Sequence, residues 1–413
     1  MKHKLIKHRL VGIFRRLNIR QVILLGLLVR FIIIPITGHW DLTSLNIVAS
    51  TLIKESFLSK NIYSYDIAIY PPFTYWLLGL WQIIIKPFVE QDFYTWLEQP
   101  TLYSFYNPHV FRYFFLLKIP HLVFDVGILI LLLRFFTKEA EKKVAAVFWA
   151  LNPVVLYATF AWGAVDVIPT FFLLLAVYLI KKNKAWVALA MLGIGGGFKL
   201  FPLMFIVPAA VISFKSWNRR ILGTTVGLLP FIMGIAYYLD HQGFITYVLG
   251  SDRSNMIYHM SFYIGFQEYM YLFFVFYTIL LFWIKDKDNG KLGKFWQYVL
   301  IILMFMFATS AFTPQWAVWA MPFLIIAFVK NESLRRQYLW LFVGYILIIL
   351  TFNQHLSLGL LSPIEPAFLE IPAFDALVGR FTQEPVKIWG LFRSFFTGTV
   401  VWFSYNWWRS KHA

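Results

Sequence analysis

Long apolar runs separated by short clusters of basic residues dominate the pattern of this chain. Stretches such as Gln21 to Thr37, Val167 to Ile180 and Leu339 to Phe352 match the hydrocarbon core of a bilayer in length or fall slightly short of it. Such runs recur from one end of the chain to the other. The pattern therefore predicts an all-α, polytopic membrane protein.

The basic clusters predict how the chain threads the bilayer, because Lys and Arg concentrate in cytoplasmic loops. After a basic leader they are Lys138/Lys142/Lys143, Lys181/Lys182/Lys184, Lys215/Arg219/Arg220, Lys285/Lys287/Lys291/Lys294, Lys330/Arg335/Arg336 and Arg409/Lys411. Each successive pair encloses one out-and-back hairpin, which predicts about 12 spans with both termini in the cytoplasm. The predicted spans are residues 21–37, 111–136, 144–160, 165–180, 185–197, 199–214, 221–239, 269–284, 296–312, 316–329, 338–352 and 387–404.

We interpret residues 1–413 as a single integral membrane domain. Its predicted parts are a cytoplasmic basic leader at 1–20, a first outer loop at 38–110, a helical bundle at 111–352, an outer loop at 353–386 and a last span at 387–404. The sequence after the first span, Thr37 to Asp41, is a poor signal-peptidase site, so we expect that span to be retained. Because the long loops lie outside, we expect the chemistry there.

Two helices are predicted in the first outer loop. Leu42 to Leu58 carries apolar residues at spacings of three and four, which indicates an amphipathic helix. Pro71 to Val89 is apolar enough to span, but a crossing there would upset the charge alternation downstream. Its Pro-Pro start and aromatic residues instead suit a helix lying at the outer interface, or partly inserted.

Composition supports the membrane assignment and excludes other classes. The chain is 60% hydrophobic, 20% aromatic and only 14% charged, with a formal net charge of +17 and no cysteine. The positive charge lies in clusters between apolar runs, which favours membrane lipids and no nucleic acid as partners. Without cysteine, neither a disulfide framework nor a thiolate metal site is possible.

Asp41 directly follows the first span in the sequence Gly38-His39-Trp40-Asp41. A carboxylate at the outer surface beside aromatic rings suits a general base for a hydroxyl group, and a solvated interfacial aspartate is the alternative. Asp66 is a second candidate acid, for which a plain loop position competes. It precedes Tyr70 in a rigid aromatic stretch that leads into the interfacial helix.

Trp162 and Asp166 lie between two predicted spans, after the pair Asn152-Pro153, whose proline should mark a helix start or a kink. Asp166 is expected mainly to cap the following helix, although a capping residue can also serve a substrate. Thr313 to Trp316 forms another outer turn. Its Gln315 and Trp316 offer a hydrogen bond and a stacking surface to a sugar.

Lys199 follows the run Gly195-Gly196-Gly197, which we expect at an outer turn. A lysine beside glycine backbone amides is suited to a phosphate group, although snorkelling to the interface is the alternative. Arg30 and Lys118 lie inside predicted spans, where ionisable groups are commonly functional and helix packing is the competing role.

Several catalytic motifs are missing: the chain has no Walker loop, no Gly-x-Ser-x-Gly and no His-Glu-x-x-His. Asp41 also lacks a second aspartate two residues away. No metal ligand and no cofactor are therefore assigned, and a divalent metal is disfavoured, although carboxylates from distant loops can assemble such a site.

In order along the chain, these motifs resemble those of the GT-C superfamily of membrane glycosyltransferases. The likeness is to the bacterial mannosyltransferase-like branch related to the second mannosyltransferase of GPI-anchor synthesis. It rests on Arg30 with Gly38 to Asp41, Asn61-Ile62-Tyr63, Tyr70 to Phe73, Asn152-Pro153 with Trp162 to Asp166, Phe198 to Pro202, and Thr313 to Trp316. The chain departs from that family at Ala164, often Gln there, and at His39, often a second acid.

The resemblance implies a GT-C-like helical bundle with interfacial helices and a sugar donor carried on polyprenyl phosphate. Asp41, with Asp66, would then be catalytic. His39, Trp40, Tyr70, Trp162, Asp166, Gln315 and Trp316 would contact substrate, and Lys199, Arg30, Lys118 and Arg253 would hold the donor phosphate. The expected partners are that donor, a glycan or lipid acceptor and membrane lipids, in a protein of the inner (plasma) membrane that builds the cell envelope.

Two rival functions remain open on the sequence. A flippase or transporter of lipid-linked glycans would also need many spans and buried cations, and an internal repeat would favour it. A polysaccharide polymerase or ligase acts on similar lipids but tends to use outer-loop arginines. Arg253 and Arg380 are few for that role.

Overall fold

The computed structural model describes residues 17–99 and 105–409. The predicted basic leader lies mostly outside that range. The described α-helices of six or more residues are α1 Ile19–Ile36, α2 Trp40–Lys54, α3 Pro72–Ile85, α4 Phe93–Glu98, α5 Val110–Leu133, α6 Glu139–Ala150, α7 Val167–Lys181, α8 Ala185–Phe198, α9 Ile206–Ser213, α10 Trp217–Ile235, α11 Leu272–Trp283, α12 Phe295–Thr309, α13 Ala317–Lys330, α14 Arg335–Ile349, α15 Phe374–Phe381 and α16 Pro385–Arg409. Two π-helical segments, Leu156–Trp162 and Phe244–Leu249, accompany them. The strands β1 Ser261–Gly265 and β2 Glu268–Tyr271 pair antiparallel.

Helix α1 shows why these segments suit a bilayer. It begins with a capping box in which Asn18 accepts from the backbone of Gln21 and the Gln21 side chain accepts from the backbone of Asn18. Leu24, Leu28 and Ile32 are each more than half exposed and lie one turn apart along one side. An exposed apolar stripe of this kind faces lipid rather than water.

Within residues 17–99 and 105–409, five segments are long and apolar enough to cross a membrane: Ile19–Ile36, Val110–Leu133, Glu139–Trp162, Trp217–Tyr238 and Leu292–Thr309. Four shorter apolar segments accompany them: Val167–Lys181, Ala185–Phe198, Phe201–Ser213 and Pro314–Lys330. The chain is therefore a largely helical, multi-pass membrane protein. The predicted number of twelve spans is not confirmed by these lengths.

The bundle is held by close helix packing. Helix α8 packs against both α7 and α10. A Cβ atom built on Gly193 would lie 2.1 Å from the carbonyl oxygen of Gly227, so α8 and α10 touch through their backbones. Small residues at such crossings are how helices gain contact in lipid, where the hydrophobic effect does not drive their association.

Both helices predicted in the first outer loop are present, as α2 and α3. They pack together, and the Gln82 side-chain nitrogen donates to the backbone and side-chain oxygens of Asn46 at 2.8 and 3.0 Å. These bonds satisfy two buried polar groups at the helix interface. Whether α3 lies at the membrane interface stays a prediction.

The glycine run before Lys199 differs from the sequence prediction. Gly195, Gly196 and Gly197 lie inside α8, which continues to Phe198, and do not form a turn. Added Cβ atoms would come within 2.3 Å of Leu203 at Gly196 and 2.2 Å of Phe73 at Gly197. The glycines serve close packing, so the predicted turn at Gly195 to Gly197 was wrong.

Candidate active site

Asp41 lies in the first turn of α2, just after the end of α1. The His39 side chain caps the helix, with Nδ1 accepting from the Asp41 backbone amide at 3.1 Å. The Asp41 Oδ2 atom accepts from Trp162 Nε1 at 2.9 Å, and the Asp41 side chain is 27% exposed. Among the described residues, Oδ1 makes no hydrogen bond. One oxygen is thus held in place and the other is open to a ligand.

His39 leaves the charge of Asp41 uncompensated. Burial lowers the pKa of His39 to about 4, although Asp41 pulls in the opposite direction. The ring is therefore neutral at physiological pH. Its Nδ1 lone pair already accepts a backbone proton, so the 3.6 Å approach of Nδ1 to Asp41 Oδ2 is not a salt bridge. The imidazole instead packs against Trp162, with ring centres 5.4 Å apart.

Lys118 joins the two segments that bring Asp41 and Trp162 together. Its fully buried ammonium group donates to the carbonyl oxygens of Ile34 at 3.1 Å, Thr37 at 2.7 Å and Phe160 at 2.7 Å. These carbonyls lie at the end of α1 and in the π-helical segment Leu156–Trp162, which carries Trp162 at its end. The three protons of Lys118 are used by the protein, so we leave it out of the proposed phosphate site.

Gly163 completes this corner. It adopts φ +88°, a backbone conformation that favours glycine, and its amide closes the turn that presents Trp162. A Cβ atom there would also lie 3.0 Å from Leu42 Cδ2, next to Asp41 in the chain. The Trp162 indole is thus aimed by backbone geometry as well as by packing.

Arg30 is occupied by protein contacts as well. Its guanidinium binds Asp125 through Nε at 2.7 Å and Nη2 at 3.1 Å. The remaining donors bind the carbonyl oxygens of Gly26, Trp149 and Ala150. No donor is left for a phosphate, so we assign Arg30 to the packing of α1, α5 and α6 and leave it out of the phosphate site.

Lys199 and Asp166 form a second buried pair. Lys199 Nζ donates to Asp166 Oδ1 at 2.7 Å, and Trp319 Nε1 donates to the same oxygen at 2.6 Å. The second oxygen of Asp166 is buried without a hydrogen-bond partner in the described part of the chain. The side chain makes no cap for α7, so the predicted capping role of Asp166 was wrong. The Asp166 carboxylate binds Lys199 instead of capping the helix.

Aromatic rings surround the Lys199 ammonium group. It lies 5.2 Å from the ring centre of Tyr70, 5.6 Å from that of Trp316 and 5.1 Å from that of Trp319. Such rings attract a cation through their negative faces. Burial lowers the pKa of Lys199, while Asp166 and, more weakly, Asp41 oppose that change. The side chain remains 13% exposed.

That exposed part of Lys199 opens into a cavity of about 320 Å³. Tyr70, Trp316 and Trp319 form one part of its lining, and Arg253 lines it too, with its side chain exposed. In the described part of the chain, Arg253 makes no ion pair. Lys199 and Arg253 thus present two cationic groups to one cavity, with only Lys199 already paired.

Tyr70 lies at the cavity wall, where charged residues from several parts of the chain act on it. Burial raises the pKa of Tyr70, and Asp166 and Asp41 raise it further while Arg253 opposes them. Asp41 also acts on Lys199. Three predicted site residues from distant parts of the chain therefore act on the tyrosine at the cavity wall.

The positions of three other predicted residues do not indicate a role. Asp66 lies in an exposed turn, and Trp40 is 40% exposed at the start of α2. Gln315 is buried, and its side-chain oxygen has no hydrogen-bond partner among the described residues. The roles assigned to these three stay predictions.

Trp319 was missed by the sequence reasoning. It is stacked between Phe201, at 3.9 Å and 6°, and Trp316, at 4.6 Å and 19°. The spacing of Trp316 and Trp319 by three residues was a usable signal, since it places both rings on one helix face. Its hydrogen bond to Asp166 crosses 153 positions, which no local pattern reports.

Within the described ranges, no three His, Asp or Glu side chains are grouped so as to hold a metal ion. The metal prediction is not tested by this, because facing carboxylates are brought together in some sites only by the ligand.

Comparison with known proteins gives one weak similarity. A stretch of 129 residues is 23% identical to GPI mannosyltransferase 1 of Saccharomyces cerevisiae, and it covers 30% of this chain and 30% of the yeast protein. No protein-family model matches the chain, and no solved structure matches it. The similarity is to part of a mannosyltransferase and does not show which family this chain belongs to.

Proposed function

We propose that the chain transfers a sugar, mannose in the first instance, from a polyprenyl-phosphate donor to a hydroxyl group of a glycan or lipid acceptor. Asp41 acts as the general base, and the anomeric configuration inverts. The reaction takes place at the outer face of a plasma membrane in which both termini are cytoplasmic. The partial similarity to a GPI mannosyltransferase supports the sugar, and the basic clusters support the orientation.

The observation that carries the proposal is the difference between the two carboxylate oxygens of Asp41. Trp162 holds one carboxylate oxygen, while the other is unbonded and the side chain is 27% exposed. A base needs both a fixed position and a free lone pair within reach of the hydroxyl proton. The neutral His39 ring leaves that negative charge intact.

The Lys199 cavity supplies the complementary charge. As the acceptor oxygen attacks the anomeric carbon, its proton passes to Asp41 and the bond from that carbon to the phosphate oxygen breaks. The electron pair of that bond goes to the polyprenyl phosphate. Lys199 and Arg253 stabilise the charge that develops there, which is where fixed cations lower a barrier most.

The first experiment is a donor screen. The purified protein in lipid is incubated with polyprenyl-phosphate mannose, glucose or arabinose and a hydroxyl acceptor, and release of the lipid phosphate is followed. We expect turnover with one of these donors. Movement of intact lipid-linked sugar across the bilayer without release would support the flippase, and growth of a repeat polymer would support the polymerase.

Asp41→Asn tests the base. The amide keeps the size of the side chain and can accept from Trp162, but it cannot take a proton at neutral pH. We expect transfer to fall by at least about a hundredfold while donor binding survives. Asp66→Asn is the control, for which a small effect is expected. Normal transfer by Asp41→Asn together with an inactive Asp66→Asn would move the base to Asp66.

A further inference from the structure

The hairpin of β1 and β2 is apolar on both faces. Cross-strand pairing places Tyr263 opposite Tyr269 on one face and Phe262 opposite Met270 on the other. All four side chains are between 41% and 63% exposed, and Phe266 at the tip is 99% exposed. A hairpin in water normally buries one of its faces, and this one buries neither.

The hairpin is firmly attached at its base. The amide of Leu272 donates to the Met260 carbonyl at 3.0 Å, and β2 runs directly into α11. Tyr258 contacts Tyr271 with ring centres 5.0 Å apart and stacks on Phe274 at 5.3 Å. The exposed aromatic surface is therefore part of a rigid unit rather than a loose tail.

We propose that this hairpin, residues 261–271, lies in the headgroup region of the bilayer and anchors the adjacent cavity wall to the membrane surface. The inference does not depend on the sugar chemistry. Helix α11 exposes Phe274, Ile279 and Phe282 to its surroundings, as expected of a helix in lipid. The hairpin lies at one end of that helix, where aromatic side chains are enriched in membrane proteins.

The unpaired edges of the two strands determine how deeply the hairpin can lie in the bilayer. The sheet has only two strands among the described residues, so each strand keeps an outer edge of unpaired amides and carbonyls. These groups are costly in hydrocarbon but are satisfied by water and headgroups. The side chains favour lipid and the backbone edges exclude the hydrocarbon core. Both requirements are met at the interface.

The anchor has a structural consequence for the cavity. Tyr258, which packs on the hairpin base, lines the cavity together with Arg253, Ser254 and Asn255. Holding the hairpin at the surface therefore holds this wall at the same level. A charged group at the head of a membrane lipid would meet Arg253 without leaving the interface.

The absence of cysteine allows a direct test by single-cysteine spin labelling. Labels are placed at Phe266→Cys in the hairpin, Ile279→Cys in the middle of α11 and Asp286→Cys beyond its other end. All three side chains are exposed, so the substitutions leave the core intact. The full chain is reconstituted in vesicles of phosphatidylcholine and phosphatidylglycerol. Collision of each label with oxygen and with a water-soluble nickel chelate is measured by electron paramagnetic resonance.

We expect the Phe266 label to be intermediate, with less nickel access than Asp286 and more than Ile279. Nickel access equal to that of Asp286 would place the hairpin in water and overturn the proposal. Access as low as that of Ile279 would place it in the hydrocarbon core and overturn the interfacial depth. Dipolar broadening that disappears on dilution with unlabelled protein would show instead that a second copy covers the surface.

Discussion

Two buried ion pairs in the described part of the chain differ in what surrounds them. Arg30 and Asp125 make a two-point contact inside the helices, and every remaining guanidinium donor binds a backbone carbonyl. Lys199 and Asp166 share a single hydrogen bond, and one Asp166 oxygen is left without a partner among the described residues. The first pair is closed on itself, whereas the second opens into a cavity.

Structural and functional charges in this membrane protein differ in their remaining hydrogen-bonding capacity. Burial alone does not decide, because Arg30 and Asp166 are both almost inaccessible. What decides is whether the donors and acceptors are used up by the protein. A pair with unused capacity beside a cavity costs stability, and that cost is retained where a ligand completes the contacts.

After loss of the base at Asp41, the largest effect on turnover is expected at the pair of Lys199 and Asp166, which opens into the cavity. Lys199→Ala should reduce transfer per folded molecule by about a hundredfold, because a cation beside the leaving phosphate is lost. It should also lower the thermal stability, because Asp166 stays buried without its charged partner. Lys199→Arg should retain part of the activity, since the charge survives. Initial rates and thermal unfolding in detergent are the measurements.

Lys60→Ala is the matched control for Lys199. Lys60 also pairs with an aspartate, Asp240, and lies 4.5 Å from the ring centre of Tyr237, but it is on the surface. Its loss should leave transfer unchanged. If Lys199→Ala transfers sugar as well as the parent, the lysine only packs and the phosphate is held elsewhere.

Part of this candidate site could be predicted from the sequence. The rest could not, for physical reasons. Asp41 and Lys199 were selected as candidates because a charged residue next to an apolar run is conspicuous in a sequence. The roles of Arg30 and Lys118 depend on backbone carbonyls far away in the chain, which no local pattern displays. The glycine run was misread because glycine signals a turn in water, while in packed membrane helices it also signals close contact.

The fold was predicted at the level of its apolar segments. Runs such as 111–136 and 221–239 correspond to long helices of the structure, since length and hydropathy decide them. Shorter helices such as α7 and α8 are not long enough for a full span. Whether each of them crosses the bilayer therefore depends on its tilt and its neighbours. The hairpin was missed because part of its strand sequence reads as the start of an apolar span.

A smaller effect on turnover is expected from the partner of Lys199. Asp166→Asn keeps the side-chain volume and an oxygen for Trp319 but removes the charge that orients the ammonium group. A hydrogen bond to a charged group contributes about 1.5 kcal/mol, so transfer should fall about tenfold. The loss should appear in the rate with saturating donor. An effect as small as that of Asp66→Asn would show that Lys199 is positioned by its aromatic rings alone.

The closed pair should affect stability and leave the chemistry untouched. Arg30→Met leaves Asp125 buried without its partner, at a cost of about 3–5 kcal/mol of the free energy of unfolding. Transfer per folded molecule should stay near that of the parent. Replacing both residues, Arg30→Met with Asp125→Leu, should recover part of the thermal stability. A fall in the rate of folded Arg30→Met that the double variant does not reverse would place Arg30 in the reaction after all.

The smallest effect is expected from His39, whose neutral ring belongs to neither pair. Its pKa in the folded protein is about 4, below the value of 6.5 for an unperturbed histidine. Between these pH values the unfolded chain binds a proton that the folded protein does not, so stability should fall as the pH drops from about 6.5 towards about 4. His39→Asn removes the titrating group, and its side-chain oxygen can still accept from the Asp41 amide as a helix cap. The variant should transfer sugar at a rate close to that of the parent, and its melting temperature in detergent should decline less steeply on acidification. Equal slopes for the two proteins would mean that His39 titrates normally, and that the charge balance at Asp41 includes a histidine cation at low pH.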